Sequence, residues 1–321
     1  ASAATWTAKG VFGSKYWSDI AISSDGTKLA ATVSLGSTGG YIYTSSDGGA
    51  TWTERIDAGL RKWQNITSSS DGTKLAATVR NGNVWTSTDS GATWTEQVSS
   101  YPGYGTGLGL GSWAGIASSA DGTKIVTAVN QGQIYLSTNS GATWATTTTA
   151  LGSKFWNGIT STGDGTKLAA ISQGASGYVY VSNNSGATWA TSTTAGIRNW
   201  YSISYSSDGT KLIAGDAGGY IYLSSDNGST WAPLTAAGSD SWYSVRSSSD
   251  GTNIAAESNN YVYTSGNSGT TWATSTIYLG GGVVTLSADG TKLAATDYQS
   301  GYIFTSTNSG AAWATSTVLG S

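Results

Sequence analysis

Three carboxylates and six tryptophans are the residues whose type and spacing best suit chemistry in this sequence. Asp216, Glu257 and Asp297 close three equivalent segments whose counterparts close on Val33, Val79, Val129 and Ile171. Three carboxylates at one level on neighbouring units could hold a cation or share acid and base work. Carboxylates solvated at loop starts are the competing reading. Trp17, Trp63, Trp113, Trp156, Trp200 and Trp242 each open a segment, and Gly281 stands where a seventh would. Lys15, Lys62, Lys154 and Arg198 precede four of them within two residues, and Tyr16, Phe155, Tyr201 and Tyr243 flank them. Aromatic rings stack on the apolar faces of sugars, and nearby bases and amides bond the hydroxyls. The loops opposite supply such groups, among them Arg80, Asn130, Gln173 and Asp297. These four and the six tryptophans are the expected ligand-binding set. Packing between repeats is the competing reading of a tryptophan that recurs in almost every unit.

A second pattern recurs more strictly. Residues 45–52 read SSDGGATW, and the pattern S-x-D-x-G-x-T-W returns with its Trp at 94, 144, 189, 231, 272 and 313. Asp47, Asp89 and Asp226 alternate at one position with Asn139, Asn184, Asn267 and Asn308. A catalytic carboxylate would not tolerate that exchange. A side chain that only accepts turn amides would, so the motif reads as a structural turn.

Composition narrows the classes further. The chain has 321 residues, 45 of them Gly, with 15 Trp and 18 Tyr, which suits many short strands joined by tight turns. It has no Cys and no His, so disulfides, thiolate metal sites and the commonest general base are absent. Net charge is −3 with the bases spread along the chain, against a nucleic-acid groove. No apolar run approaches the roughly 20 residues that span a bilayer. No cofactor is expected. The absence of Met, even at position 1, fits a processed chain and an extracellular setting.

The elements that must position these residues follow from the repeat. A second motif, SSDGTKLAA at 23–31, interleaves with the first and also occurs seven times. Each unit reads as four strands, in blade 1 over 16–23, 27–33, 40–45 and 50–56, with Asp25-Gly26 expected in a type I′ turn. A four-stranded unit leaves apolar surface on both faces, and a ring of seven buries it. The expected fold is all-β, a single seven-bladed β-propeller of four antiparallel strands per blade. The blades fall near 12–56, 57–98, 99–148, 149–193, 194–235, 236–276 and 277–318, with an extra N-terminal strand at 4–10. Either terminus could complete blade 7, and the local hairpin at 306–318 is favoured by loop-closure entropy.

The S-x-D-x-G-x-T-W motif resembles the Asp-box, or bacterial neuraminidase repeat, over nearly the whole chain. The resemblance implies a propeller whose motif turns lie on the face away from the ligand. Sialidases share that architecture but have six blades, an arginine triad and an Arg-Ile-Pro signature. Here Pro102 and Pro233 are the only prolines and neither follows Arg-Ile, so sialidase activity is not expected. The variable loops share one rim, the natural place for function. The first reading is a non-catalytic, lectin-like propeller with weak multivalent sites on that rim. The alternative is a structural or protein-binding scaffold, which would bury the entry tryptophans. A glycoside hydrolase using Asp216, Glu257 and Asp297 ranks third. The expected partners are thus glycans or a protein surface.

Overall fold

The computed structural model describes residues 15–34, 38–97, 112–147, 151–174, 177–258 and 260–316. It is a seven-bladed β-propeller with four antiparallel strands in sequential order in each blade. Among the described residues, helical backbone is confined to isolated 3-10 turns such as Ile56–Ala58 and Thr235–Ala237. Six innermost strands run Trp17–Ile22, Trp63–Ser68, Trp113–Ser118, Trp156–Ser161, Trp200–Tyr205 and Ser244–Ser247, and the seventh is Val284–Leu286. Neighbouring first strands touch all the way round, blade 7 against blade 1 included. Blade 7 is completed locally, since Ala314–Thr315 pairs with Ile303–Ser306. The expected N-terminal strand 4–10 lies outside the described residues.

The core is a set of junctions rather than one centre. The second strand of blade 1, Leu29–Val33, is buried throughout, and its side chains alternate between two neighbours. Ala30 packs towards Trp63, Ile66 and Trp85 of blade 2, whereas Leu29, Ala31 and Val33 pack with Ala294 and Ile303 of blade 7. Alanine on both faces of this strand lets blades stack closely. Each of the seven junctions has one such apolar cluster.

Two polar devices tie the blades together on the face of the repeated turns. A circle of backbone hydrogen bonds runs from Ser24 N–H to Ser70 O, on through Ala120, Gly163 and Ser207, and from Asp208 through Ser249 and Ala288 back to Ser24, each 2.7–3.0 Å long. The ring is therefore closed by main-chain bonds through all seven blades. Outside that circle, the lysine of each Asp-Gly-Thr-Lys turn reaches the next blade. Lys167 Nζ donates to Gly209 O at 2.7 Å and Lys292 Nζ to Asp25 O at 2.7 Å, and Asn253 Nδ2 does the same to Asp289 O at 2.9 Å. The even spread of lysine is thus a structural repeat.

The Asp-Gly turn is not type I′. Gly26 has φ 68° but Asp25 is not left-handed, and Gly26 N–H donates to Ser23 O at 2.9 Å. This is a type I turn with glycine in the left-handed region at its last position. Asp25 holds it from the side chain, accepting Ser23 Oγ–H at 2.6 Å and Thr27 N–H at 2.9 Å. Those bonds keep the Asp25, Asp71, Asp121 and Asp164 carboxyls down at about 2, the hydroxyl two residues upstream being the largest cause.

The second repeated turn has the expected capping geometry. Asp47 accepts Thr51 N–H at 2.8 Å and Ser45 Oγ–H at 2.7 Å. Asn139 accepts Thr143 N–H at 2.9 Å in the same way, and its Nδ2 donates to Thr143 Oγ1 where Asp47 accepts from Thr51 Oγ1. The hydroxyl reverses its role and the turn is unchanged. Asp47→Asn is therefore expected to be nearly neutral, and Asp47→Ala to cost about 1 kcal/mol through lost turn bonds. Chemical denaturation of both variants checks this, and equal losses would contradict the capping account.

Candidate functional site

The entry tryptophans belong to the core, which corrects their expected role as stacking platforms. Trp63, Trp156, Trp200 and Trp242 are 0% exposed, and Trp113 and Trp17 are 2% and 4% exposed. Trp17, Trp63, Trp156, Trp200 and Trp242 lie edge-on or tilted against aromatics of their own blades, as Trp63 does against Trp85 and Trp94 with centroids 6.1 Å apart in both cases. Four indole N–H groups donate to the second-to-third-strand loop of the preceding blade: Trp17 to Gly301 O at 2.7 Å, Trp113 to Val79 O and Gly82 O, Trp156 to Gly132 O and Trp242 to Gly219 O. The indole thus locks the loop of one blade onto the start of the next.

The bases before the tryptophans cap the same stacks. Arg61 lies 4.0 Å over Trp85, Arg198 lies 4.3 Å over Tyr222, Lys15 lies 4.8 Å over Tyr43 and Lys154 lies 5.2 Å over Tyr180. In blade 2 the stacking base is Arg61, not Lys62. Lys62 instead accepts Arg80 N–H through its carbonyl at 2.7 Å.

The polar groups expected to bind a ligand are mostly committed to the protein. Asn130 Nδ2 donates to Trp156 O at 3.2 Å. Gln173 is half-buried, and its backbone N–H pairs with Phe155 O at 2.8 Å. Asp297 is buried and accepts Gly280 N–H at 3.0 Å and Gln299 N–H at 2.9 Å, which removes it from the rim surface. Arg80 alone of the four is exposed.

What the rim does expose is tyrosine and phenylalanine. A β-bulge follows the entry tryptophan in blades 1 to 5, and in blades 4 and 5 it leaves Asn157 and Tyr201 unpaired at the inner edge of the rim. Tyr201 is 40% exposed and meets Tyr243 of blade 6 edge-on, centroids 4.7 Å apart. Asn157 bonds the Tyr201 carbonyl at 3.2 Å and so fixes the backbone beneath that pair. Phe155 of blade 4 is 54% exposed. Tyr16 lies 5.0 Å from Tyr298, which comes from the blade 7 loop. Tyr298 was not anticipated from the sequence, because nothing repeats at its position.

The three carboxylates do not form one site, which corrects their reading as a cation or acid/base set. Among the described residues no group of three His, Cys, Asp or Glu is arranged to hold a metal. Asp216 faces Arg198 at 3.9 Å, and burial raises its pKa while Arg198 lowers it. Glu257 and Asp297 serve the missing tryptophan of blade 7. There Gly280, Gly281 and Gly282 replace it, Leu279 fills the core at 0% exposure, and the freed amides are taken by carboxylates. Gly282 N–H donates to Glu257 Oε1 at 3.2 Å, and Gly280 N–H to Asp297. A side chain at Gly282 would put its Cβ 1.8 Å from Thr296 O, so only glycine fits. Burial pushes Glu257 up to about 8, and its Oε2 has no partner.

One further charged pair lies on the innermost strands. Asp19 is buried and accepts Ile20 N–H and Ile66 N–H, both at 2.9 Å. Arg246 donates to Val245 O at 2.9 Å. Burial raises Asp19, and the Arg246 charge opposes that rise.

No family model and no curated protein matches the sequence. Solved structures do match its fold. A GH74 xyloglucanase from Xanthomonas campestris aligns with TM-score 0.70 at 15% identity, over 96% of this chain and 54% of that one. A GH74 enzyme from Niastella koreensis aligns with TM-score 0.58 at 15% identity, over 94% of this chain and 65% of the other. The chain therefore spans less than two thirds of either enzyme. YCF48 bound to a D1 peptide aligns with TM-score 0.63 at 17% identity, over 92% of both chains. At these identities the likeness is one of fold: the chain is a seven-bladed propeller of the architecture that both glycosidases and a peptide-binding protein use.

Proposed function

We propose that the chain is a non-catalytic binding propeller that takes an extended protein segment across its loop rim, on the tyrosine-rich sector of blades 4 to 7 and 1. The observation that carries this reading is the Tyr201–Tyr243 pair, Tyr201 exposed and Tyr243 half-buried, its rings 4.7 Å apart at the inner edge of the rim. Tyrosine offers large contact area at low entropic cost, and aromatic anchors dominate protein interfaces. Phe155 and the Tyr16–Tyr298 pair extend the same surface. These rings differ from blade to blade, which suits one asymmetric partner better than equivalent repeated sites. The likeness to YCF48, whose structure was solved with a peptide, supports it by analogy. A lectin-like site is the second reading, favoured by the same exposed tyrosines acting as sugar platforms in place of the tryptophans. Against it, the amides that would bond hydroxyls are engaged: Gln64 contacts Ser112 Oγ and Trp113 N–H, and Asn157 the next blade's backbone. The resemblance of the turn motif to Asp-boxes, which face away from ligands, fits either reading.

A random-peptide display library and a glycan array are the probes, each run on wild type, a Tyr201→Ala/Tyr243→Ala double variant and Arg80→Gln. Peptides that bind wild type and weaken at least tenfold on the double variant, with its melting temperature nearly unchanged, are the expected result. Glycan hits without peptide hits would replace the proposal with the lectin reading. Peptide binding insensitive to both tyrosines would remove the rim from consideration.

A further inference from the structure

Opposite the loop rim, on the face of the repeated turns, a cleft between blades 1 and 2 departs from its siblings. It encloses about 180 Å³, against about 10 Å³ between blades 2 and 3 and about 40 Å³ between blades 6 and 7. Roughly 10–15 Å³ suffices for one water, so the cleft has room for a polyatomic group. Its lining includes Lys28, Arg55 and a set of hydroxyls, Thr44, Ser46, Thr53 and Ser90 among them, and no carboxylate.

The difference traces to one position. Arg55 stands three residues after Trp52, where the other blades carry Gln97, Thr147, Ser192, Leu234, Ser275 and Ser316. Only blade 1 places a cation there. Arg55 Nε donates to Thr44 Oγ1 at 2.6 Å, and no further bond from its guanidinium is made to the described protein. Lys28 Nζ spends one donor on Ser90 Oγ at 3.2 Å. Neither cation forms an ion pair among the described residues. The surrounding carboxylates are turned into their own turns, Asp47 onto Thr51 N–H, Asp71 onto Thr73 N–H and Asp89 onto Thr93 N–H. Burial pulls the Arg55 guanidinium below its usual value, with Asp89 and Asp57 opposing.

A guanidinium and an ammonium converging with hydroxyl donors on an acid-free cavity match a tetrahedral oxyanion, whose oxygens accept several charge-assisted bonds at once. We propose that the cleft between blades 1 and 2 binds a sulfate or phosphate group on Lys28 and Arg55. The site is independent of the rim and stands whether or not the rim takes peptides.

The test is titration of the whole chain with inorganic sulfate, inorganic phosphate and a 6-O-sulfated monosaccharide. Binding is followed by calorimetry and by the amide shifts of Ser46 and Ser90, with chloride holding the ionic strength fixed. Wild type is expected to saturate with at least one anion in the millimolar range, on the order of 4 kcal/mol of binding. Arg55→Gln borrows the residue of blade 2, and Lys28→Asn that of blade 6. Both are expected to fold, as melting in chloride verifies, and to bind at least tenfold more weakly, while Arg80→Gln on the far rim binds as wild type. Tighter binding of the sugar sulfate than of inorganic sulfate assigns the group to a larger ligand, and equal binding assigns it to the free ion. No saturation with any of the three, or unchanged binding in Arg55→Gln, overturns the proposal.

Discussion

Replacing Trp63 by Ala is expected to cost about 3–5 kcal/mol of stability, the range for emptying a large buried aromatic site. Trp63 is 0% exposed and sits in the junction of blades 1 and 2 with Ile42, Ile66, Leu75, Trp85 and Trp94. Its removal strips the edge contact from Trp85, the ring on which Arg61 rests at 4.0 Å. A domain holds only about 5–15 kcal/mol in total, so the loss is a large share. Urea denaturation measures it, and a loss under about 1 kcal/mol would return Trp63 to the surface role that the core packing denies it. Phenylalanine refines the test. The Trp63 indole N–H is buried without a partner, whereas that of Trp113 donates to Val79 O and Gly82 O. Val79 O also accepts Gly82 N–H at 2.9 Å, so Trp113→Phe strands the Gly82 carbonyl and is expected to cost about 1–3 kcal/mol more than Trp63→Phe.

The repeat made the architecture legible and concealed the site. Strand order, blade count and the role of the repeated turn follow from period-two patterns and turn residues that recur seven times, because each blade solves the same packing problem. The entry tryptophan recurs for that same reason, so repetition at Trp17 through Trp242 signalled core, not ligand. Exposure of Tyr201 depends on a one-residue bulge after Trp200, which no single-strand pattern reveals. The acids of blades 6 and 7 were visible as departures, but their cause lies in Gly280–Gly282, in contact through the fold rather than the chain. Arg55 was readable by aligning the positions three residues after each motif tryptophan, and departures from a repeat are better guides to a site than the repeat.

Glu257 sets the expected pH dependence. Its carboxyl is 0% exposed, takes one bond from Gly282 N–H and titrates at about 8 against 4.5 in the unfolded chain. Below pH 4.5 both states hold the proton and the group has no effect on stability. Between 4.5 and 8 the folded state keeps a proton that the unfolded state releases, so stability falls as pH rises, by about 1.4 kcal/mol per unit, and levels off above 8. The whole interval amounts to at most about 5 kcal/mol. The sequence has no His or Cys to blur that window. The turn aspartates such as Asp25 and Asp71, held at about 2, act only in more acid solution, where their contribution is lost as pH falls through about 4 towards 2. Asp19 and Asp216 are also raised, so any slope that survives without Glu257 belongs to them. Glu257→Gln keeps an acceptor for Gly282 N–H and cannot ionise. Its amide also brings donors to a place where Oε2 has no partner, at a cost of about 1–3 kcal/mol that does not vary with pH. The variant is therefore expected to be slightly less stable than wild type at pH 4, to cross it between about pH 5 and 6.5, and to be on the order of 3 kcal/mol more stable at pH 8. Unfolding of both proteins at pH 4, 6 and 8 gives the difference directly. Parallel stability profiles would mean that Glu257 ionises in the fold like an exposed carboxylate, and that Gly282 N–H binds an anion there rather than an acid.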